Sequence, residues 1–390
     1  MLPINYLRPC VQTISELVYN YQSSVVLCTA TQPSLKQFFP SQMEISEICP
    51  DVKGQYNFFR RTSFKNAGEL AKDQLSMGLR EHSQVLCVLN SRRAVQQIYA
   101  SLSNEKGIFH LSTFMYPKHR KRLLSVIRKR LQEGKPCKLI STSLVEAGVD
   151  FDFPTVYREL AGIVSMIQAA GRCNREGKLI LDGEKTHGRL YIIRYSEENL
   201  TMLHDIKSSS DASEYAIRSI GYRRESNEKI ELEKLQILYY NKYYVSNRNK
   251  LDYIDKEKSC TMIEELGRND QDRSNYYITN PSNKKPMMYQ AFKTAAENFK
   301  FIEEGTTGVI VQYKNQDLLE RLEQAMNDKD YDSVKVLLRK LQRYSVNVYL
   351  SKSIEPYIYK HNDFDVWFLL NEYYDKKKGI ITTGLVDLIV

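Results

Sequence analysis

Residues Leu139 to Lys178 read LISTSLVEAGVDFDFPTVYRELAGIVSMIQAAGRCNREGK. Leu139 and Ile140 close a short apolar run that turns polar at Ser141 and Thr142, as a buried parallel strand does where it delivers side chains to a site. Gly148 and Asp150 follow in a loop. After Pro154 a second short strand, Thr155 to Tyr157, leads to a helix expected to start near Ile163. At 3.6 residues per turn, Ile163, Met166, Ile167 and Ala170 share one side of that helix, while Gln168, Arg172 and Arg175 share the other. An amide and two guanidinium groups on one face suit a polyphosphate, because a planar, permanently charged fork grips phosphate oxygens and can stabilise charge on a transferred phosphoryl group. The plainer alternative is a solvated helix face that happens to carry arginines.

Outward from this stretch, residues 57–200 alternate strands with helices, the pattern of a parallel α/β sheet. Val85 to Leu89 is an apolar strand that leads to Asn90, Ser91 and Arg92 and then to an amphipathic helix through Leu102. Ile108 to Leu111 is the next strand, followed by Ser112 and Thr113. Ligands of open α/β sheets sit at such carboxyl ends of strands. From Pro117 to Lys138 nine cationic side chains face Glu133 alone, and Leu123, Leu124, Ile127 and Leu131 give this stretch the buried stripe of a helix lying on the sheet. Leu190 to Arg194 is the expected last strand.

The flanks read differently. Residues 1–40 hold a helix period at Leu7, Val11, Ile14, Leu17 and Val18, then a β-branched run from Ser24 to Cys28, expected as a buried strand that needs parallel neighbours. Residues 41–56 form a linker with Pro50 and Gly54. Residues 201–228 continue as a helical connector. Residues 229–390 read as a mainly helical accessory domain in which Val309 to Gln312 and Val346 to Tyr349 are strand-like. Tyr239, Tyr240, Tyr243 and Tyr244 could stack bases, but at helical spacing they fit core or interface better.

Composition sets the limits. A chain of 390 residues, 42% hydrophobic and 26% charged, has room for two or three cores. A net charge of +9 points towards a polyanionic partner without proving one. The seven scattered cysteines lack C-x-x-C spacing, which fits reduced thiols rather than disulfides or a metal site. The six histidines are isolated. No run approaches a membrane span and no signal peptide opens the chain, so a cytoplasmic location is expected. The phosphate-cradling G-x-x-x-x-G-K-[ST] pattern is absent from the sequence, as is an Asp-Glu pair of the kind that holds magnesium.

The pairing of Ser-Thr-x-x-x-Glu-x-Gly-x-Asp with Gln-x-x-Gly-Arg-x-x-Arg resembles motifs V and VI of superfamily 2 helicases, and STSLVEAGVDFDFP and QAAGRCNREG are most similar to the CRISPR-associated helicase-nuclease of type I systems. LCTATQP resembles motif III of that family, Asn90-Ser91-Arg92 its motif IV, and the stretch from Gln290 to Tyr349 the accessory domain of the type I-C branch. The resemblance implies a RecA-like second helicase domain over 57–200, preceded at 1–40 by an orphan strand-helix piece of the first RecA-like domain, with Met1 just beyond motif II.

It further implies roles. Arg175 is an arginine finger, Gln168 and Arg172 orient the terminal phosphate, and Asp150, after Gly148, approaches the ribose of ATP. Thr29, Thr31 and Gln32 couple hydrolysis to grip. Asn90, Ser91, Arg92, Ser112, Thr113, Arg120 and Thr142 hold the backbone of single-stranded DNA. Magnesium and the phosphate loop would come from the missing amino-terminal helicase-nuclease half or an intact copy, with the CRISPR surveillance complex as a further partner. The chain alone would be inactive. A non-catalytic DNA- or complex-binding module is the alternative, and an RNA-acting superfamily 2 helicase a weaker third.

Overall fold

The computed structural model describes residues 3–29, 33–51, 54, 61–181, 183–198, 200, 203–220, 232–255, 260–267, 291–299, 305–350 and 354–381. Two compact units divide the chain, one of Met1–Tyr56 with Glu231–Glu304 and one of Asn57–Ile230 with Gly305–Val390.

In the first unit the expected amphipathic helix is present at Leu7–Tyr21, closed by Gln22 in the left-handed conformation. The strand expected at Ser24 to Cys28 is not: these residues form no ladder, and all are exposed. A β-branched run becomes a strand only where a neighbouring strand satisfies its amides, and none lies beside it among the described residues. The tyrosines of the helix Leu232–Ser246 pack inward, with Tyr239, Tyr240 and Tyr244 buried and the Phe38 and Tyr244 rings perpendicular, their centroids 4.9 Å apart. Core packing thus accounts for those three rings.

The second unit is built on six parallel strands. They are β1 (Thr62–Leu70), β2 (Gln84–Val88), β3 (Ile108–Leu111), β4 (Cys137–Ser141), β5 (Thr155–Glu159) and β6 (Gly188–Tyr195), in the spatial order β1-β6-β5-β2-β4-β3. Helices α1 (Lys72–Arg80), α2 (Arg92–Ser101), α3 (Pro117–Gln132), α4 (Ile163–Ala170) and α5 (His204–Ser219) make the crossovers and cover. β4 and β5 are buried along their whole length, which is why they read as near-continuous apolar runs. β1 is an edge strand bulged between Asn66 and Gly68, and its side chains are mostly half-exposed.

One cation breaks the apolar rule of β4. Lys138, the last of the nine cations of the basic stretch, is 5% exposed, and its ammonium donates to the carbonyls of Leu79, Arg80 and His82 at 3.1, 2.8 and 2.7 Å. The orphan carbonyls at the end of α1 supply the partners that make this burial tolerable.

Within the segment expected to be mainly helical, residues 305–350 and 354–381 bring their strands together as a mixed sheet beside two helices. Strands β7 (Thr306–Ile310), β8 (Ser345–Tyr349), β9 (Ile358–Lys360) and β10 (Trp367–Leu369) lie in the order β8-β7-β10-β9, beside the helix pair Gln316–Asn327 and Tyr331–Leu341. The two strand-like stretches seen in the sequence pair antiparallel, Val309 opposite Val346. This module shares a core with Phe114 and Tyr116, at the entry to α3.

Candidate nucleotide and nucleic-acid site

The polar residues of the opening stretch line the loop that runs from the carboxyl end of β4 to the amino end of β5, and the turn after α4 that bonds to it. Helix α4 stops at Ala170 with Gly171 as its cap, so Arg172 and Arg175 do not continue its face as the helical period implied. They lie on the following turn. Asn174, with φ 48, bends that turn and holds it through bonds to Arg61 O, Thr186 O and Leu179 N. Asn is among the residues that tolerate this conformation, because its short amide bonds locally. Phe153 and Asn174 complete the splice: Phe153 N donates to Arg172 O and Asn174 N to Phe153 O, both at 2.9 Å.

The arginines are therefore aimed by backbone, and towards the loop that follows β4. Arg172 donates from Nε to Val145 O at 3.0 Å and from Nη2 to Glu146 O at 2.6 Å. Burial, and then the neighbouring Arg175, lower its pKa from the ordinary arginine value, without neutralising it. Arg175 pairs with Asp150 at 2.8 Å, with side-chain exposures of 43% and 75%, and its amide and that of Glu176 are held by the Asp152 carboxylate at 2.7 and 3.2 Å. Gly148, two residues before Asp150, has φ 69 and is exposed, and a methyl group there would meet nothing within 4 Å. Gln168 is exposed on the last turn of α4. Gln168, Gly148, Asp150 and Arg175 thus remain open to solvent while Arg172 is half committed to carbonyls.

The expected DNA-facing residues divide by access. Ser91 is buried, and its hydroxyl caps α2 by accepting from Ala94 N at 3.1 Å. Asn90 spends its amide on Leu160 O at 3.0 Å and its carbonyl on Arg158 at 2.8 Å. Ser112 is fully enclosed and accepts from Phe114 N at 3.3 Å. Thr142 is buried at the end of β4, at 9% exposure. By contrast Thr113 is exposed, and Arg92 reaches it at 3.5 Å while lying over the Phe114 ring at 4.1 Å. Arg120 is half-buried, and desolvation lowers its pKa. Thr29 is exposed in the other unit, and Thr31 and Gln32 lie outside the described residues.

Beneath these groups is a buried polar cluster that sequence reasoning missed. Arg158, 2% exposed, projects from β5 and donates to Asn90 Oδ1 at 2.8 Å, to Glu159 O at 2.7 Å and to Ser165 Oγ at 2.7 Å. Its Nε lies 2.8 Å from Glu146 Oε1, close enough for strong attraction though misaligned for a hydrogen bond. Ser165 Oγ in turn donates to Glu146 Oε2 at 2.6 Å. Burial and the neighbouring Glu198 push Glu159 up to about 8, against the bond it accepts from Asn90 N. The available signal was two opposite charges inside the otherwise apolar run TVYRELA.

Residues 81–178 match the family described as CRISPR-associated nuclease/helicase Cas3, C-terminal. This stretch is similar to the C-terminal domain of Cas3-type helicases. The chain is similar to the CRISPR-associated nuclease/helicase Cas3 of Methanothermobacter thermautotrophicus, at 24% identity over 281 residues, 65% of this chain and 33% of that protein. Its similarity to the Haloferax volcanii Cas3 reaches 48% over 56 residues, 14% of this chain and 6% of that one. The chain thus spans about a third of the length of the first of these curated relatives. A crystal structure of T. fusca Cas3-ADP shares the fold, with a TM-score of 0.50 at 13% identity over 82% of this chain and 42% of that one. No helix of the described residues is long and apolar enough to cross a membrane.

Proposed function

We infer that this chain supplies one wall of the ATP site in a Cas3-type helicase that moves on single-stranded DNA in CRISPR defence. The observation that carries this reading is the turn after α4, where Arg175 and Arg172 bond to the loop that carries Gly148 and Asp150 while Gln168 stays open on the last turn of α4. Open guanidinium and amide groups fit the outer phosphates of a nucleotide, and an exposed carboxylate beside a bare glycine fits its sugar. Bound ATP supplies the phosphoryl group whose developing charge such an arginine stabilises. The name helicase borne by the Methanothermobacter relative, and the ADP of the T. fusca Cas3-ADP crystal structure, support the same reading.

Arg175 acts as the arginine finger, and its pairing with Asp150 holds it until a phosphate competes for it. Arg172 and Gln168 orient the terminal phosphate. The phosphate loop and the magnesium ligands come from another polypeptide segment, because the sequence has no G-x-x-x-x-G-K-[ST] pattern. Thr29, Thr31 and Gln32 serve the coupling motif. On the DNA side, Arg92, Thr113 and Arg120 meet the phosphate backbone, while Asn90, Ser91, Ser112 and the buried Thr142 act through the backbone they hold in place. Each phosphate neutralised on a single strand adds about 0.7 to the logarithmic salt slope of binding. The working location is the cytoplasm, with the surveillance complex as partner.

The test is ATP hydrolysis with single-stranded DNA, by the chain alone and then joined by a polypeptide carrying the phosphate loop and the acidic motif. No turnover alone and DNA-stimulated turnover when joined is the expected result. DNA binding with no turnover in either case would favour the non-catalytic binding module.

A further inference from the structure

Arg158 belongs to none of the segments assigned to nucleotide or DNA, yet it touches the supports of both. Its guanidinium bonds Asn90 at the end of β2, the strand end that carries Arg92. It meets Glu146 in the turn after β4, and the carbonyl of that same Glu146 receives Arg172 at 2.6 Å. Ser165, in the helix that precedes the arginine turn, bridges the two by accepting from Arg158 at 2.7 Å and donating to Glu146 at 2.6 Å. Five donors in one rigid plane allow a single side chain to hold three segments at once, which the point charge of a lysine cannot reproduce.

We propose that Arg158, with Ser165 and Glu146, is a positioning residue that couples the nucleotide-facing turn to the DNA-facing strand end. The inference rests on the reading given under Proposed function. A displacement of Arg172 on nucleotide binding pulls on the Glu146 carbonyl; Glu146 shifts against Arg158, and Arg158 carries the shift to Asn90. The centre of the span, Arg158 and Glu146, is buried, and its ends at Asn90 and Ser165 are half-buried. Low local dielectric strengthens such a relay and makes a half-broken version costly, so its members move together. A purely structural cluster would hold the fold without linking the two ligands, and contiguity alone does not separate the two roles.

The separating measurement is the effect of a non-hydrolysable ATP analogue on the affinity for a fluorescent single-stranded oligonucleotide, read by anisotropy on the chain joined by the phosphate-loop polypeptide. In the unaltered protein the analogue shifts the oligonucleotide Kd by about 5- to 150-fold, the usual range of coupling between sites. Ser165→Ala and Arg158→Lys should bring that shift towards onefold, with the Kd in the absence of analogue changed by less than about twofold and the circular dichroism spectrum unchanged. Should Arg158→Lys fail to fold, Ser165→Ala, which deletes one hydroxyl, decides alone. Variants that keep the full shift overturn the coupling role and leave the site reading standing. An unaltered protein that shows no shift overturns both.

Discussion

The cluster around Arg158 and the turn that carries Arg175 both pair an arginine with a carboxylate at 2.8 Å, yet they differ in almost every other respect. Arg158 and Glu146 have side chains 2% and 6% exposed, and backbone and hydroxyl groups from three segments surround them. Arg175 and Asp150 are 43% and 75% exposed and stand on a turn shaped by Asn174 and Asp152. A buried pair costs heavily in desolvation and fixes geometry, whereas an exposed pair contributes little and can be exchanged for another partner. The molecule thus keeps its precision below the surface and its exchangeable charge above it. Substitutions that tell the two roles apart should move opposite observables.

The largest effect belongs to the open turn. Arg175→Ala is expected to cut DNA-stimulated ATP turnover of the joined protein by about 10³ to 10⁵, or about 4–7 kcal/mol in the barrier. Stability should change by less than about 1 kcal/mol, because the pair with Asp150 is exposed. Urea midpoints and initial rates on the same preparation check both halves. In the buried cluster the pattern should invert: Glu146→Leu strands the Arg158 guanidinium without its countercharge and should cost about 3–5 kcal/mol in unfolding free energy. An unchanged urea midpoint in that variant would remove the contrast.

How much of this was readable beforehand follows from the same physics. Strands β2 and β4 were legible because burial on both faces writes an apolar run into the sequence, and β3, β5 and β6 through shorter apolar stretches. The edge strand Thr62–Leu70, TSFKNAGEL, was not, since half-exposed side chains and a glycine bulge leave no such run. Gln168, Arg172 and Arg175 were found as a group but by an argument about one helix face that fails at Gly171, where the helix ends. Backbone splicing of Phe153 to residues 172–174 brings the two arginines to the loop instead. Lys138, Glu146 and Arg158 were misread or missed because a buried charge depends on carbonyls and hydroxyls distant in sequence. Ser24 to Cys28 failed the other way, an apolar run with no ladder to join.

A residue between the two regimes sharpens the comparison further. Asp152 is half-buried and serves no ligand in this reading; it anchors the amides of Arg175 and Glu176. Asp152→Ala should cost about 1–3 kcal/mol in stability, the range for hydrogen bonds to a charged acceptor. It should also lower turnover by less than Arg175→Ala does, since Arg175 remains but loses its fixed mount. Equal losses in turnover for the two variants would mean that Asp152 itself takes part in the chemistry.

The smallest effect tests the rule that burial must be matched by partners. His110 on β3 is 1% exposed, neither ring nitrogen has a hydrogen-bond partner, and the nearest aromatic is Tyr99, edge-on at 5.5 Å. Burial foremost, then Lys378, lowers its pKa to about 4 from an ordinary 6.5, against the opposing pull of Asp375. Because the folded state refuses the proton that the unfolded chain accepts, stability from a neutral His110 is complete above about 6.5 and is lost as pH falls towards 4. Replacing the imidazole by a ring that cannot be protonated removes that loss and keeps the aromatic contact. His110→Phe should therefore lie within about 1 kcal/mol of the parent at pH 7.5, as volume-conserving core exchanges do, and become the more stable protein at pH 5. Burial also lowers the His119 pKa, so both proteins lose stability on acidification and the difference between their urea midpoints isolates His110. A difference that stays constant from pH 7.5 to 5 would show that His110 takes up its proton as readily in the folded protein as in the unfolded chain.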